Sequence, residues 1–395
     1  MKYYKKALIA FEVMMSLQAS AQNLVLPHHF HESLLTIDSH TDTPMVLLRS
    51  ETDFMKNNCS SPYSKVDYPR MLKGGLDAVF FAVFTPQGSL DSLSYHKAYI
   101  VARKMFARID SLIQHNSDKL ALATSANDIQ KNYNSGKLSI LIGIENGYPL
   151  NMKLDRVKEF YDLGARYITL CHSKNNQLCS SSTDKNQEEG LSDFGKEVVR
   201  EMNRLGMMVD VSHISDKAFW DVISLTSKPV IASHSSARAI CDHPRNLSDK
   251  MLEAIAKNGG VVQVCILSDY VKKIPPNLRY DSAFHILQNR FHQFENLTDT
   301  EKKLVRKEID SLQKVYPRQL ASVHDLVDHI DHIVKVAGID HVGIGSDFDG
   351  GGGLADCKDV SEIPNITSEL IRRGYSAEEI QKIWGGNLMR VLQAQ

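Results

Sequence analysis

His40 and Asp42 are two positions apart, a spacing that in an extended segment turns both side chains to one side, where they could ligate one cation. Alone, a His-x-Asp is equally well read as a polar loop. It gains weight because Glu145, His213, His234 and Asp347 occupy the same kind of position, at the ends of other short β-rich runs. Imidazole and carboxylate donors without cysteine suit zinc, manganese or a similar borderline cation rather than a thiolate structural site. Two histidines, a carboxylate able to bridge and a His-Asp pair are ligands enough for two metals sharing a water. Such a site makes a nucleophile at neutral pH, since coordination to zinc lowers the pKa of water to about 7. A carboxylate beside it must then accept the proton and return it to a leaving amine. Asp347 is the candidate. Asp349, two residues on, competes, but the first carboxylate past the strand is better placed to enter a barrel mouth.

The elements that would bring these residues together are eight β-rich runs, at 34–38, 78–84, 139–144, 166–170, 207–211, 229–232, 260–265 and 341–345. Most are nearly continuous in Val, Ile, Leu or Phe, as strands buried on both faces are. Helical stretches such as 194–205 and 250–257 lie between them, which is the alternation of a parallel α/β protein. Eight parallel strands favour a (β/α)8 TIM barrel over an open sheet. In a barrel every strand opens at its carboxyl end onto one face, so residues scattered over the chain converge there.

Composition sets the remaining limits. The chain has 395 residues, 43% hydrophobic and 24% charged, with 46 Lys and Arg against 47 Asp and Glu, values that exclude collagenous, coiled-coil, disordered and disulfide-scaffold classes. A net charge of −1 gives no field to draw a polyanion, so nucleic acid is not an expected partner. Lys2, Lys5 and Lys6, a mostly apolar stretch over 7–17 and Ala19-Ser20-Ala21 predict a bacterial secretion signal at 1–21, with 22–395 as a single barrel domain. Glu12 inside the apolar stretch leaves a buried N-terminal helix as the other reading. No other run is long enough to span a bilayer and the C-terminus has no hydrophobic anchor tail, so a secreted, periplasmic protein without a membrane anchor is expected. The six cysteines show no CxxC spacing and their pairing cannot be read.

Several longer stretches carry a resemblance. They are Ile37-Asp38-Ser39-His40-Thr41-Asp42, Ile144-Glu145-Asn146-Gly147, Gly190 to Gly195 leading through Met202 to Met207 into Asp210-Val211-Ser212-His213, Ser233-His234-Ser235-Ser236-Ala237, Arg245-Asn246 and Gly345-Ser346-Asp347-Phe348-Asp349-Gly350. In order and spacing the chain from about Ile37 to Leu392 resembles the membrane dipeptidase (renal dipeptidase) family of zinc metallopeptidases, whose fold is an amidohydrolase-type barrel. The resemblance implies a metallopeptidase that hydrolyses dipeptides with two Zn2+ per chain. It makes His40, Asp42 and Glu145 ligands of one zinc, Glu145 the bridge, His213 and His234 the completion of the second, and Asp347 the acid/base. It also implies that His172 holds the substrate near the scissile carbonyl, Arg245 its terminal carboxylate, and that Tyr270 lines the pocket. Two features depart from the family: Ser173 to Leu178 replaces a Cys-Asn-Thr-like stretch followed by Trp, and a long charged insertion runs over about 268–319. That insertion, leaving a strand's carboxyl end, is expected to lie over the catalytic face.

Other features take plainer readings. His324, His329 and His332 share the period of an amphipathic helix and read as solvated or interfacial rather than ligands, and His28, His29 and His31 lack a carboxylate cluster. Lys174 has no bridging role to fill beside Glu145, and Gly350 to Gly353 lacks the Gly-Lys-Ser/Thr of a phosphate loop. The competing functions are another amidohydrolase-type activity, on an N-acyl amino acid or a β-lactam, and a catalytically silent binding protein on the same barrel. Oligomeric state, a homodimer included, is left open.

Overall fold

Seven consecutive residues, Ala-Val-Phe-Phe-Ala-Val-Phe, make β2 (Ala78–Phe84), and all but the last are buried. A strand apolar on both faces must be covered on both, which a barrel does with its interior on one side and helices on the other. The computed structural model describes residues 30–49, 52–59, 61, 64–291 and 298–395. The expected signal at 1–21, with His28 and His29, lies outside these residues. The other strands are β1 (Ile37–Thr41), β3 (Leu120–Leu122), β4 (Leu138–Glu145), β5 (Ala165–Thr169), β6 (Met208–Asp210), β7 (Ile231–Ala232), β8 (Val261–Cys265) and β9 (Val342–Gly345). All pair in parallel in the order β1-β2-β4-β5-β6-β7-β8-β9. The expected (β/α)8 barrel is therefore observed. The three-residue β3 adds to the start of β4, Leu120 opposite Leu138, and was too short to register as an apolar run.

The sheet closes between β9 and β1 at the carboxyl end. There Asp347 N donates to His40 O (3.0 Å) and Asp42 N to Phe348 O (2.9 Å), while Asp38 Oδ1 accepts from Ser346 N (2.8 Å). β1 also sits further along the chain than its apolar residues suggest. It runs from Ile37 to Thr41, because the polar residues Asp38, Ser39, His40 and Thr41 belong to the strand and are all buried. The barrel interior is filled from the side of β5 by Tyr167. A Cβ on Gly143 of β4 would lie 2.0 Å from its ring, so only glycine lets the ring cross the barrel there.

Helices return the chain between strands and are closed by the expected signals. Ser192 caps the helix Asp193–Leu205 through Gly195 N, a bond contributing about 1 kcal/mol, and Gly206 ends it at φ 77°. Val198, Val199 and Met202 give that helix its buried face. The helix Val323–Ala337 is amphipathic as expected. His324 and His332 sit at its edges against Glu369 and Asp249, whereas His329 is completely buried among Leu326, Val327 and Ile330. His31 is likewise structural, with Nδ1 2.6 Å from Thr367 Oγ1 and Nε2 2.9 Å from Gly74 O.

The insertion folds as Ser268–Val271, Leu278–Arg290 and Asp299–Val315, the last two packed on each other. Its first turn, through Tyr270, lines the cleft at the carboxyl face of the barrel, and none of the described residues of 278–319 does. All six cysteines are unpaired. Among the described residues no helix is long and apolar enough to cross a membrane.

Candidate metal centre and active site

Glu145 is the last residue of β4 and its carboxylate is ringed by imidazoles. Oε2 lies 3.3 Å from His40 Nε2, and Oε1 lies 3.2, 3.5 and 3.8 Å from Nε2 of His213, His172 and His234. Hydrogen bonds on the far side of two rings fix which nitrogen offers its lone pair. The Tyr167 hydroxyl donates to Ser39 O (3.2 Å), so at His40 Nδ1 (2.8 Å) it accepts, leaving Nε2 unprotonated. Ser233 Oγ donates to Asp210 Oδ2 (2.6 Å) and therefore accepts from His234 Nδ1 (2.8 Å), with the same result. Asp210 is held in turn by Thr169 Oγ1, Ser212 N and Ser233 N. This hydroxyl–carboxylate backing is what metal-ligating histidines require on their second nitrogen.

Two polar atoms of the cluster, His40 Nε2 and Asp42 Oδ1, are buried without a hydrogen-bond partner, as is Nδ1 of His213 on the same ring as the Nε2 that faces Glu145. The Nε2 atoms of His213 and His234 face each other across 2.8 Å. Burial pushes both rings well below the usual histidine pKa, so neither is held as a cation. Burial also raises Glu145 to about 8, helped by the Asp347 charge, and lifts Asp42 well above the carboxylate range, helped by Glu145. Lone pairs converging on carboxylates that resist ionisation are the pattern a bound cation relieves. Three overlapping sets have ligand atoms close enough to hold an ion: His40, Glu145 and His234; Glu145, His172 and His213; and His40, Asp42 and Asp347. The residues fit metal ions.

Asp347 and Asp349 are distinguished by what their oxygens touch. Asp349 is engaged at both, Oδ1 accepting from Lys65 N (2.5 Å) and Oδ2 from Thr43 Oγ1 (2.8 Å). Asp347 faces Asp42 and the cleft, and burial followed by the Asp42 charge pushes it up to about 7. The glycines after it form a tight turn, Gly350, Gly351 and Gly352 all donating to Asp347 O. A Cβ on Gly350 would fall 1.9 Å from Asp42 Oδ2 and 2.4 Å from Asp347 Oδ1, so the close pair of carboxylates depends on glycine. Asn146, His213, Asp347 and Asp349 all hold positive φ, between 57° and 74°. Such backbone costs on the order of 1–3 kcal/mol per residue and collects where function demands a particular side-chain direction.

A cleft of about 310 Å³ opens over these groups. Met45, Phe84, Leu267 and Tyr270 form its apolar wall and Glu145, His172 and Asp347 part of its polar floor. His172 packs at a tilt against Phe84 (4.7 Å) and His213 (4.4 Å), and burial, then Arg245, lowers it to about 4, keeping the ring neutral. Arg245 lies behind the lining. It donates to Ser235 Oγ (3.3 Å) and His234 O (3.0 Å), and its Nε is buried without a partner. No carboxylate among the described residues pairs with it. Its guanidinium carbon is 5.3 Å from the Tyr270 ring, and burial pushes that phenol up to about 12. The departing stretch after His172 is tied in by Asn176, which donates to Leu170 O (2.8 Å) and Asn146 Oδ1 (2.9 Å). Lys174 points to solvent.

The structure thus brings His40, Asp42, Glu145, His172, His213, His234 and Asp347 to one face, with Arg245 and Tyr270 beside them. Tyr167, Asp210 and Ser233 were not singled out from sequence. Asp210 stood in the Asp-Val-Ser-His stretch, and a carboxylate ending a buried strand is the signal that could have marked it.

A parallel barrel with a buried histidine–carboxylate cluster at its carboxyl face defines the class of metal-dependent hydrolases built on this fold. The profile of the membrane dipeptidase family (peptidase family M19) matches residues 27–395, and the chain belongs to that family. Dipeptidase tcpJ of Claviceps purpurea is 34% identical over 368 residues, covering 90% of this chain and 76% of that protein. Dipeptidase aclJ of Aspergillus oryzae is 32% identical over 337 residues, 84% of this chain and 70% of that protein. Among solved structures, the probable dipeptidase PvdM from Pseudomonas aeruginosa superposes with a TM-score of 0.79 at 28% identity, covering 93% and 96% of the two chains. The chain is a dipeptidase-like hydrolase.

Proposed function

We propose that the protein is a zinc-dependent dipeptidase with two metals per chain. His40, Asp42 and Glu145 would hold one, Glu145, His213 and His234 the other. Zinc held by this donor set would supply Lewis acidity and lower the pKa of water to about 7. Asp347 accepts the proton released as water adds to the scissile carbonyl, then delivers it to the amide nitrogen as the C–N bond breaks, giving two amino acids. His172, neutral and at the cleft floor, donates toward the carbonyl oxygen. Tyr270 stays protonated and walls the pocket. The lysine-led apolar segment and Ala19-Ser20-Ala21 support export to a bacterial periplasm.

The observation that carries the substrate class is Arg245: a buried guanidinium beside the cleft with no carboxylate partner among the described residues. A free C-terminal carboxylate one residue past the scissile bond supplies that partner through charge-assisted hydrogen bonds, and a neutral amide does not. Free dipeptides are therefore expected to be cleaved far faster than tripeptides or dipeptide amides, the difference being on the order of 2–4 kcal/mol of transition-state binding. Arg245→Ala should slow free dipeptides much more than amides and leave the metal in place. Steady-state kinetics on a matched pair decides it: equal slowing of both substrates would remove the carboxylate clamp and favour a broader amide hydrolase.

A further inference from the structure

One histidine outside the proposed ligand set joins the two pieces of chain that carry Arg245 and Tyr270. His329 is fully buried in the helix Val323–Ala337. Its Nδ1 accepts the Ala237 N–H at 3.0 Å. A ring nitrogen that accepts bears no proton, so the proton of the neutral ring is on Nε2, which donates to Val271 O at 2.8 Å. Burial lowers the ring's pKa and holds it in this neutral form. Ala237 lies at the start of the loop that carries Arg245, and that loop is closed on itself by Leu247 N to Ser236 O and Arg238 N to Leu247 O, both 2.8 Å. Val271 directly follows Tyr270 in the short helix Ser268–Val271. Asn246 adds a parallel link, donating to Tyr270 O at 2.7 Å and Cys241 O at 2.9 Å. Arg245 and Tyr270 face each other between the two links.

We propose that His329 is a positioning residue for substrate recognition: it clamps the Arg245 loop to the Tyr270 turn and so sets the spacing at which the substrate's carboxylate is received. The proposal rests on the reading of Arg245 given above. It differs from a packing role because both ring nitrogens are spent on backbone groups of the two recognition segments. Leucine would fill much of the same volume and satisfy neither. Asparagine retains an acceptor for Ala237 N alone.

The test compares kcat and KM for a free dipeptide and its C-terminal amide in wild type, H329L, H329N, R245A and the R245A/H329L double variant, with metal content measured on each. H329L is expected to lower kcat/KM for the free dipeptide about tenfold, chiefly through KM, with the amide changed by less than about twofold and metal content unchanged. H329N should recover part of that loss, and H329L should add nothing in the R245A background. Equal losses on both substrates, loss of metal, or additive losses in the double variant would overturn the proposal while leaving Arg245's role standing. If R245A itself fails to discriminate the two substrates, the Arg245 reading falls and this proposal with it. Should H329L not fold, H329N carries the comparison: a loss confined to the free dipeptide supports the clamp, and an equal loss on both refutes it.

Discussion

Asp347→Asn is expected to keep its metal and lose turnover by a factor on the order of 10²–10⁴, the usual contribution of a positioned acid/base group. The substitution is isosteric, so the Gly350–Gly352 turn beneath Asp347 O is undisturbed. An amide oxygen, however, cannot accept the proton of the attacking water and pass it to the leaving amine. Asp349→Asn is the control. Both Asp349 oxygens already accept hydrogen bonds, from Lys65 N and Thr43 Oγ1, so its loss should loosen the loop and reduce activity far less. Single-turnover rates on the two purified variants, each with its metal content determined, separate chemistry from metal loss. A dead Asp349→Asn beside an active Asp347→Asn would mean that the proton acceptor has been misassigned.

Glu145→Gln is expected to cost both metals rather than one. A single carboxylate faces His40 through one oxygen and His172, His213 and His234 through the other, so both proposed sites draw on the same charge. Glutamine has nearly the same shape but presents one oxygen and one N–H2, and carries no charge to offset two cations in a buried cluster. The variant should purify with less than about one metal equivalent and hydrolyse dipeptides near background, a larger loss than the 10–100-fold typical of altering groups behind the ligands. Full metal occupancy with retained activity in this variant would dispose of a shared bridge.

How much of this was legible in the sequence follows from where each residue's partners lie. β2 was readable end to end because its residues are apolar and buried on both sides. β1 was not, because the barrel interior at its mouth is polar: Asp38 and His40 are strand residues, and apolar periodicity placed the strand three positions too early. β7, only Ile231–Ala232, gave a usable signal through the Pro229-Val230 residues before it. The convergence of His40, Glu145, His213, His234 and Asp347 was legible because each lies at or within three residues of a strand's carboxyl end, and barrel topology alone brings those ends together. What orients them was not. Tyr167 meets His40 across 127 positions and His329 meets Val271 across 58, contacts that no local pattern encodes. His329 carried the period of a helix facing the barrel, and that much was correct. Its role depends on which backbone groups happen to lie at either end of the ring.

Metal content of the purified wild-type protein, titrated against dipeptide hydrolysis, tests the central claim most directly. Chelated enzyme should be inactive, and activity on a free dipeptide should return as zinc is added, reaching its plateau at two equivalents per chain. A plateau at one equivalent, or dipeptide hydrolysis that persists in fully chelated protein, would contradict a binuclear centre built on Glu145.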